Sequence, residues 1–320
     1  MKAAVLFELG KPPRFEEFAE PIPAPGEVLL RVRAASLKPV DKQMAAGTHY
    51  ASPRTLPVIC GADGVGELPD GTRVFFGGPR RPYGAMAEHT VAPSAFCFPL
   101  PDAIDDATAA ALPNPGISAY LALAHRAKLA HGETVLILGA TGVTGTLAVQ
   151  IAKLLGAARV IAAGRNPQAL EKLRSLGADA TIQLVQSDEN LKLSFEREAG
   201  EKGFDVVIDY VWGHPTEILL AAVTRNEFTV INTETRLVQV GESAGPTISL
   251  PAAVLRSTAL TILGTAGIPP REVLVSAMQR VLEWAAQGVL SIATDSVPLS
   301  QIEESWQRPE TAGRRLVIIP

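Results

Sequence analysis

A chain of 320 residues is long enough for two domains of ordinary size, each with its own core. With 47% apolar and 19% charged residues it has the profile of a globular protein, and its net charge of −4 gives nucleic acid or an anionic membrane no electrostatic hold. Two cysteines, Cys60 and Cys97, cannot build a disulfide framework or a thiolate metal cage. No secretory leader is recognised at the start, so the chain is expected in a reducing, cytoplasmic setting. The longest apolar runs, 134–140 and 259–263, have core-strand length and are too short to span a bilayer.

About the first hundred residues are rich in Pro and Gly. Segments 2–6, 28–34, 72–76 and 87–91 read as short strands broken by turn clusters, which predicts a mostly antiparallel, β-rich domain. The texture changes at Asp105, where 105–112 reads as an Ala-rich helix with acidic residues at its start. A break at 113–116 is followed by a predicted helix over 117–130. Strands and helices then alternate. The runs 134–138, 160–163, 206–210 and 237–240 are continuously apolar, as strands buried on both faces of a parallel sheet are. Helices are predicted at 143–155 and 167–176, and a last strand at 260–264. This pattern predicts an α/β fold with a doubly wound parallel Rossmann sheet over 115–265. The tail holds an amphipathic helix from Pro269 to about Gln287 and short strands at 291–297 and 315–319. That is too little for a core, so 266–320 is expected to fold back onto 1–114.

The strand 134–138 runs into Gly139-Ala140-Thr141-Gly142-Val143-Thr144-Gly145 and then into a helix. Glycines at 139, 142 and 145 suit a tight turn, close approach of a diphosphate and close packing of helix on strand. A glycine triplet alone is weak, but between a strand and a helix in a βαβ unit it points to a dinucleotide, with Thr141, Gly142, Val143 and Thr144 around the diphosphate. An NAD site places Asp or Glu at the end of the second strand to bond the ribose. Here the residues are Ala163-Gly164-Arg165-Asn166-Pro167, with a guanidinium suited to a 2′-phosphate and an amide beside it. The expected cofactor is therefore NADPH.

At this point the sequence resembles the medium-chain dehydrogenase/reductase superfamily, and within it the zinc-free quinone oxidoreductases. The marks are Pro25-Gly26-Glu27-Val28-Leu29, Pro57-Val58-Ile59-Cys60-Gly61-Ala62-Asp63-Gly64-Val65-Gly66, Gly116-Ile117-Ser118-Ala119-Tyr120, and Ala148-Val149-Gln150-Ile151-Ala152-Lys153 after the glycine turn. The resemblance implies a GroES-like catalytic domain beside the Rossmann domain. Zinc alcohol dehydrogenases of that superfamily use a Cys in the 36–41 segment and a His-Glu pair after the glycine at Gly61. This chain has Lys38 and no thiol in the first, and Ala62-Asp63 in the second, so no metal is expected.

Without zinc, the resemblance implies hydride delivery to an acceptor that is already electron-poor, a small-molecule quinone or enone. It implies a pocket tyrosine at Tyr50, able to hydrogen-bond the acceptor or give it a proton; packing of the loop is the other reading. Lys38 stands where many relatives carry Asn. Its ammonium can stabilise negative charge on the acceptor oxygen, pair with Asp41, or point to water. Ser118 matches a position near the nicotinamide, and a helix-capping hydroxyl is the alternative. Gly241 follows a strand and lets the backbone approach the cofactor, while Tyr210, Trp212 and His214 sit at the ligand-binding end of the sheet. By family pattern the chain is expected to be a homodimer joined through strand 260–264. Two further readings stay open: a reductase of alkenals or enoyl-thioesters by the same chemistry, and an NADPH-binding protein with little turnover.

Overall fold

The computed structural model describes residues 1–224, 234–265, 267, 269–309 and 311–320. In chain order the first elements are β1 (Lys2–Leu6), β2 (Arg14–Glu17), β3 (Glu27–Leu37), α1 (Pro39–Ala46), β4 (Val58–Ile59), β5 (Asp63–Glu67), β6 (Arg73–Gly77), β7 (His89–Pro93), β8 (Cys97–Pro99), α2 (Asp106–Ala111) and α3 (Pro113–Tyr120). Then come β9 (Thr134–Leu138), α4 (Val143–Leu154), β10 (Arg159–Gly164), α5 (Pro167–Ser175), β11 (Ala180–Gln183), α6 (Asp188–Ala199), β12 (Val206–Asp209), α7 (Gly213–Val223), β13 (Thr235–Gln239), α8 (Ala252–Ser257) and β14 (Leu260–Gly264). The chain closes with α9 (Arg271–Ala286), β15 (Ala293–Pro298), α10 (Ile302–Gln307) and β16 (Arg314–Ile319).

Two compact units result, Met1–Asn114 with Leu282–Pro320, and Pro115–Val281. One junction follows Asn114 and the other lies inside α9; residue 266 is outside the described residues.

The first unit is built around β3, whose outer neighbours are β5, β7 and β16, all antiparallel to it. The tail joins here: Leu316 pairs with Leu37 and β15 lies parallel to β16. Leu30, Val32, Phe76, Met86, Ile302 and Ile318 are buried together between the layers. A small second sheet, in the order β2-β1-β4, completes the unit. Near Ala34 the β3 and β5 backbones run so close that a Cβ on Gly64 would stand 2.7 Å from the Ala34 carbonyl oxygen. A glycine is required there.

The second unit is a six-stranded sheet in the order β11-β10-β9-β12-β13-β14, and each neighbouring pair is parallel. Leu136, Leu138, Ile161, Phe195, Val207 and Leu237 form its core. The strand order reverses between β9 and β12, the crevice where ligands bind in open α/β sheets. The expected break at 113–116 is instead the opening of α3. Both prolines fall in its first turn, where a missing N–H has no intrahelical partner to lose. The helix then widens into a π turn over Leu121–Arg126.

Candidate active site

At the reversal point, β9 runs into Gly139, whose φ of +82° suits a residue without a Cβ. A Cβ on Gly145 would lie 2.3 Å from the Gly139 carbonyl oxygen and 2.6 Å from the Ala140 Cα, so only glycine lets α4 come this close to the strand. Gly142 is the N-cap of α4 and no side chain caps it, whereas Asn166 and Ser187 cap α5 and α6 with their own oxygens. The first-turn N–H groups of α4, including those of Val143 and Thr144, are thereby left for an anion, with the positive end of the helix dipole behind them. Thr141 packs over Gly164 at the end of β10; a Cβ there would be 2.5 Å from the Thr141 methyl. Arg165 follows, exposed and with no carboxylate partner among the described residues. Asn166 accepts the Ala169 N–H with its Oδ1 at 3.0 Å, which leaves its amide N–H groups available.

Gly241 lies against the Tyr210 backbone: a Cβ would be 2.8 Å from the Tyr210 carbonyl oxygen. The crossing of these two chain segments accounts for the glycine. Ser118 is half-buried in the last turn of α3 and so does not cap it. Trp212 packs on the core of the sheet, and His214 pairs with Asp188 at 2.8 Å. The Tyr210 hydroxyl is buried without a hydrogen-bond partner among the described residues.

The sequence did not single out Asp209, at the end of β12. Its buried carboxylate accepts from the Val211 and Trp212 N–H groups at 2.8 Å each and from the Thr216 hydroxyl at 2.6 Å. Burial pushes its carboxyl above the ordinary range against the pull of those three donors. The carboxylate shapes the turn that brings Trp212 to a φ of +53°.

In the first unit Lys38 is 2% exposed. Its ammonium donates to Asp63 Oδ1 at 2.8 Å and to the Ser36 carbonyl at 3.2 Å, and lies 3.2 Å from Asp41 Oδ2. Asp41 also accepts the backbone N–H groups of Lys38, at 2.9 Å, and Ala62, at 3.2 Å. Asn114 donates to the second oxygen of Asp63 at 3.3 Å. Burial works against the ammonium, but the two carboxylates outweigh it and hold Lys38 above its ordinary pKa. Burial lifts the Asp63 carboxyl above the usual range, helped by the neighbouring Asp41 charge and against the pull of Lys38 and of the buried Arg315 guanidinium. Burial likewise pushes the Cys60 thiol far up, so it stays protonated. Tyr50 is 98% exposed on a loop, its ring stacked on His49 with centroids 4.1 Å apart. Tyr50 and Lys38 therefore occupy opposite environments, one in solvent and one in the core.

Residues 24–102 match the family model of the alcohol dehydrogenase GroES-like domain, and residues 143–287 that of the zinc-binding dehydrogenases. The quinone oxidoreductase of Homo sapiens is 30% identical over 65% of this chain and 66% of its own length. This chain thus spans about two thirds of that relative. The Sus scrofa quinone oxidoreductase is 31% identical over 77% of this chain and 74% of its own. The quinone oxidoreductase of Thermus thermophilus, solved alone and with NADPH, superimposes with a TM-score of 0.80 at 28% identity over all of both chains. Among the described residues no helix is long and apolar enough to cross a membrane. A parallel sheet with an open phosphate turn, carried in one chain with a β-rich GroES-like unit, defines a medium-chain dehydrogenase/reductase. The chain belongs to that superfamily, in its quinone oxidoreductase branch.

Proposed function

We propose that the protein is a zinc-independent cytoplasmic reductase that uses NADPH to reduce a quinone or another electron-poor conjugated carbonyl. The observation that carries this reading is the uncapped start of α4 next to Gly139 and Gly145, combined with Arg165 and no carboxylate at the end of β10. In this reading Thr141, Gly142, Val143 and Thr144 hold the diphosphate, Arg165 and Asn166 take the 2′-phosphate, and Gly164 keeps room beside Thr141. Ser118 and Gly241 border the nicotinamide side. Bound NADPH supplies the hydride; the chain's residues supply position and charge. Tyr50 donates a hydrogen bond to the acceptor carbonyl from its solvent-facing loop. Lys38 acts from behind, as a fixed positive charge that keeps Asp41 and Asp63 in place, and the proton that completes the reduction comes from Tyr50 or water.

Zinc does not fit the residues present. Where relatives keep metal ligands, an ammonium already occupies the two carboxylates, and the Cys60 thiol is held protonated by burial. Catalytic zinc needs deprotonated protein ligands around an open position.

The homodimer reading rests on β14, a partly exposed strand at the end of the sheet, suited to pair with its copy. Light scattering at micromolar concentration reads it directly: a dimeric mass is expected, and a monomeric one refutes it.

The cofactor assignment is tested by titrating Arg165→Glu with NADPH and NADH. Loss of a forked, charge-assisted contact predicts NADPH binding weaker by about tenfold to a hundredfold with NADH little changed. Equal losses sink the assignment. Turnover of an unsaturated aldehyde but no quinone would move the activity to the alkenal reductases.

A further inference from the structure

The first unit contains a cavity of about 190 Å³, open to solvent on one side. Its walls are mainly apolar, with Leu6, Met44, Val58 and Ile59 among them. That volume is below the usual range of drug-sized pockets, and with this lining it suits a small flat ring system held by few polar groups. Two charged residues border it, Asp41 and Arg81, and their situations differ. Asp41 is buried and its charge is taken up by the Lys38 ammonium and two backbone N–H groups. Arg81 is exposed, and its guanidinium donates only to main-chain carbonyls, those of Ala51 and Ser52. No carboxylate among the described residues pairs with it. Its neighbour Arg80 is by contrast matched to Glu27 at 2.7 Å. The cavity therefore combines an apolar body with one uncompensated cation, oriented by two neutral acceptors that leave its charge in place.

We infer that this cavity selects acceptors that join a flat, apolar conjugated ring to an anionic group, and that Arg81 is the residue that reads the negative charge. The inference rests on the proposed reduction of quinones or enones and names which of them the site prefers. A guanidinium is suited to a carboxylate or sulfonate, because its fork of donors presents two N–H groups to two oxygens. At a partly exposed mouth such a contact is worth about tenfold in binding.

The test compares naphthoquinone with its sulfonated derivative in wild type, Arg81→Gln and Arg81→Lys. Wild type is expected to show a KM about tenfold lower for the sulfonated compound. Arg81→Gln loses that preference while kcat/KM for the neutral quinone stays within about twofold, and Arg81→Lys, which keeps the charge, retains part of it. If Arg81 only pins the 51–52 backbone, both acceptors lose equally in Arg81→Gln, and the inference is overturned. Should neither quinone turn over, the reduction reading fails by itself. Equilibrium binding of the sulfonated probe, followed by fluorescence quenching, then decides the cavity: weakening of about tenfold in Arg81→Gln supports it, and unchanged binding overturns it.

Discussion

Replacing Lys38 by Met removes a cation and leaves its shape. In the folded protein that ammonium is 2% exposed, 2.8 Å from one carboxylate and 3.2 Å from another. Removing one partner of a buried ion pair costs about 3–5 kcal/mol, and a loss in that range is expected here, since both carboxylates lose the ammonium but keep their other donors and Asp63 keeps the field of the Arg315 guanidinium. That is a large share of the roughly 5–15 kcal/mol that keeps a domain folded. The pH dependence gives the argument a second edge. The folded-state pKa of Lys38 is raised, so its stabilisation is fully present below the ordinary lysine value and is lost only as pH rises through the higher folded value. In the variant, Asp63 loses the ammonium that pulled its already raised carboxyl down. It then takes up a proton at higher pH, and neutral Asp63 no longer needs a cation. The gap between wild type and Lys38→Met, measured by urea unfolding, should therefore shrink as the pH is lowered. Adding Asp63→Asn to Lys38→Met should recover part of the loss, since the two residues are directly coupled. A gap below about 1 kcal/mol at neutral pH would refute the reasoning, as would one that ignores pH.

Other expectations follow from the second unit. Gly145→Ala puts a methyl 2.3 Å from the Gly139 carbonyl oxygen, so it should cost about 1–3 kcal/mol and weaken NADPH binding by about tenfold or more in a fluorescence titration. Gly142→Ala is its control. The nearest atom there is 3.4 Å away and φ is −76°, so the fold should tolerate it; a large loss of stability would contradict the packing argument. Tyr210→Phe removes a buried hydroxyl that has no partner among the described residues and should raise stability by about 1 kcal/mol, a Tm gain of about 2–4 °C. A drop of similar size in thermal unfolding would show that the hydroxyl is in use.

Much of the second unit was legible in the sequence because parallel strands covered on both faces read as unbroken apolar runs. The reading of 134–138 and 260–264 coincides with β9 and β14, and α4 begins at the expected Val143. Polar helices were harder. In α6 only Leu191 and Phe195 are fully buried, too thin a stripe to show a helical period; its one local signal was Ser187 before Asp188 and Glu189, a cap with acidic residues behind it. In the first unit β5 was not among the strands read from the sequence, because Gly64 and Gly66 weaken a strand signal although the close approach of β3 demands at least the first. The Lys38 cluster was half visible. Asp41 lies three positions away on the next helix, so that pairing could be written down from sequence. Asp63 reaches the ammonium through the pairing of β3 with β5, and Asn114, at the start of α3, reaches Asp63, a tertiary juxtaposition that local spacing does not encode.

The central claim is hydride transfer from NADPH to an electron-poor carbonyl. It is tested most directly by the rate at which purified protein oxidises NADPH in the presence of a polycyclic ortho-quinone, with NADH in parallel. The expected result is quinone-dependent oxidation with kcat/KM for NADPH at least about tenfold above that for NADH. Equal or faster use of NADH would contradict the role given to Arg165, and no NADPH oxidation with this quinone, a simple benzoquinone or an unsaturated aldehyde would contradict the reductase itself.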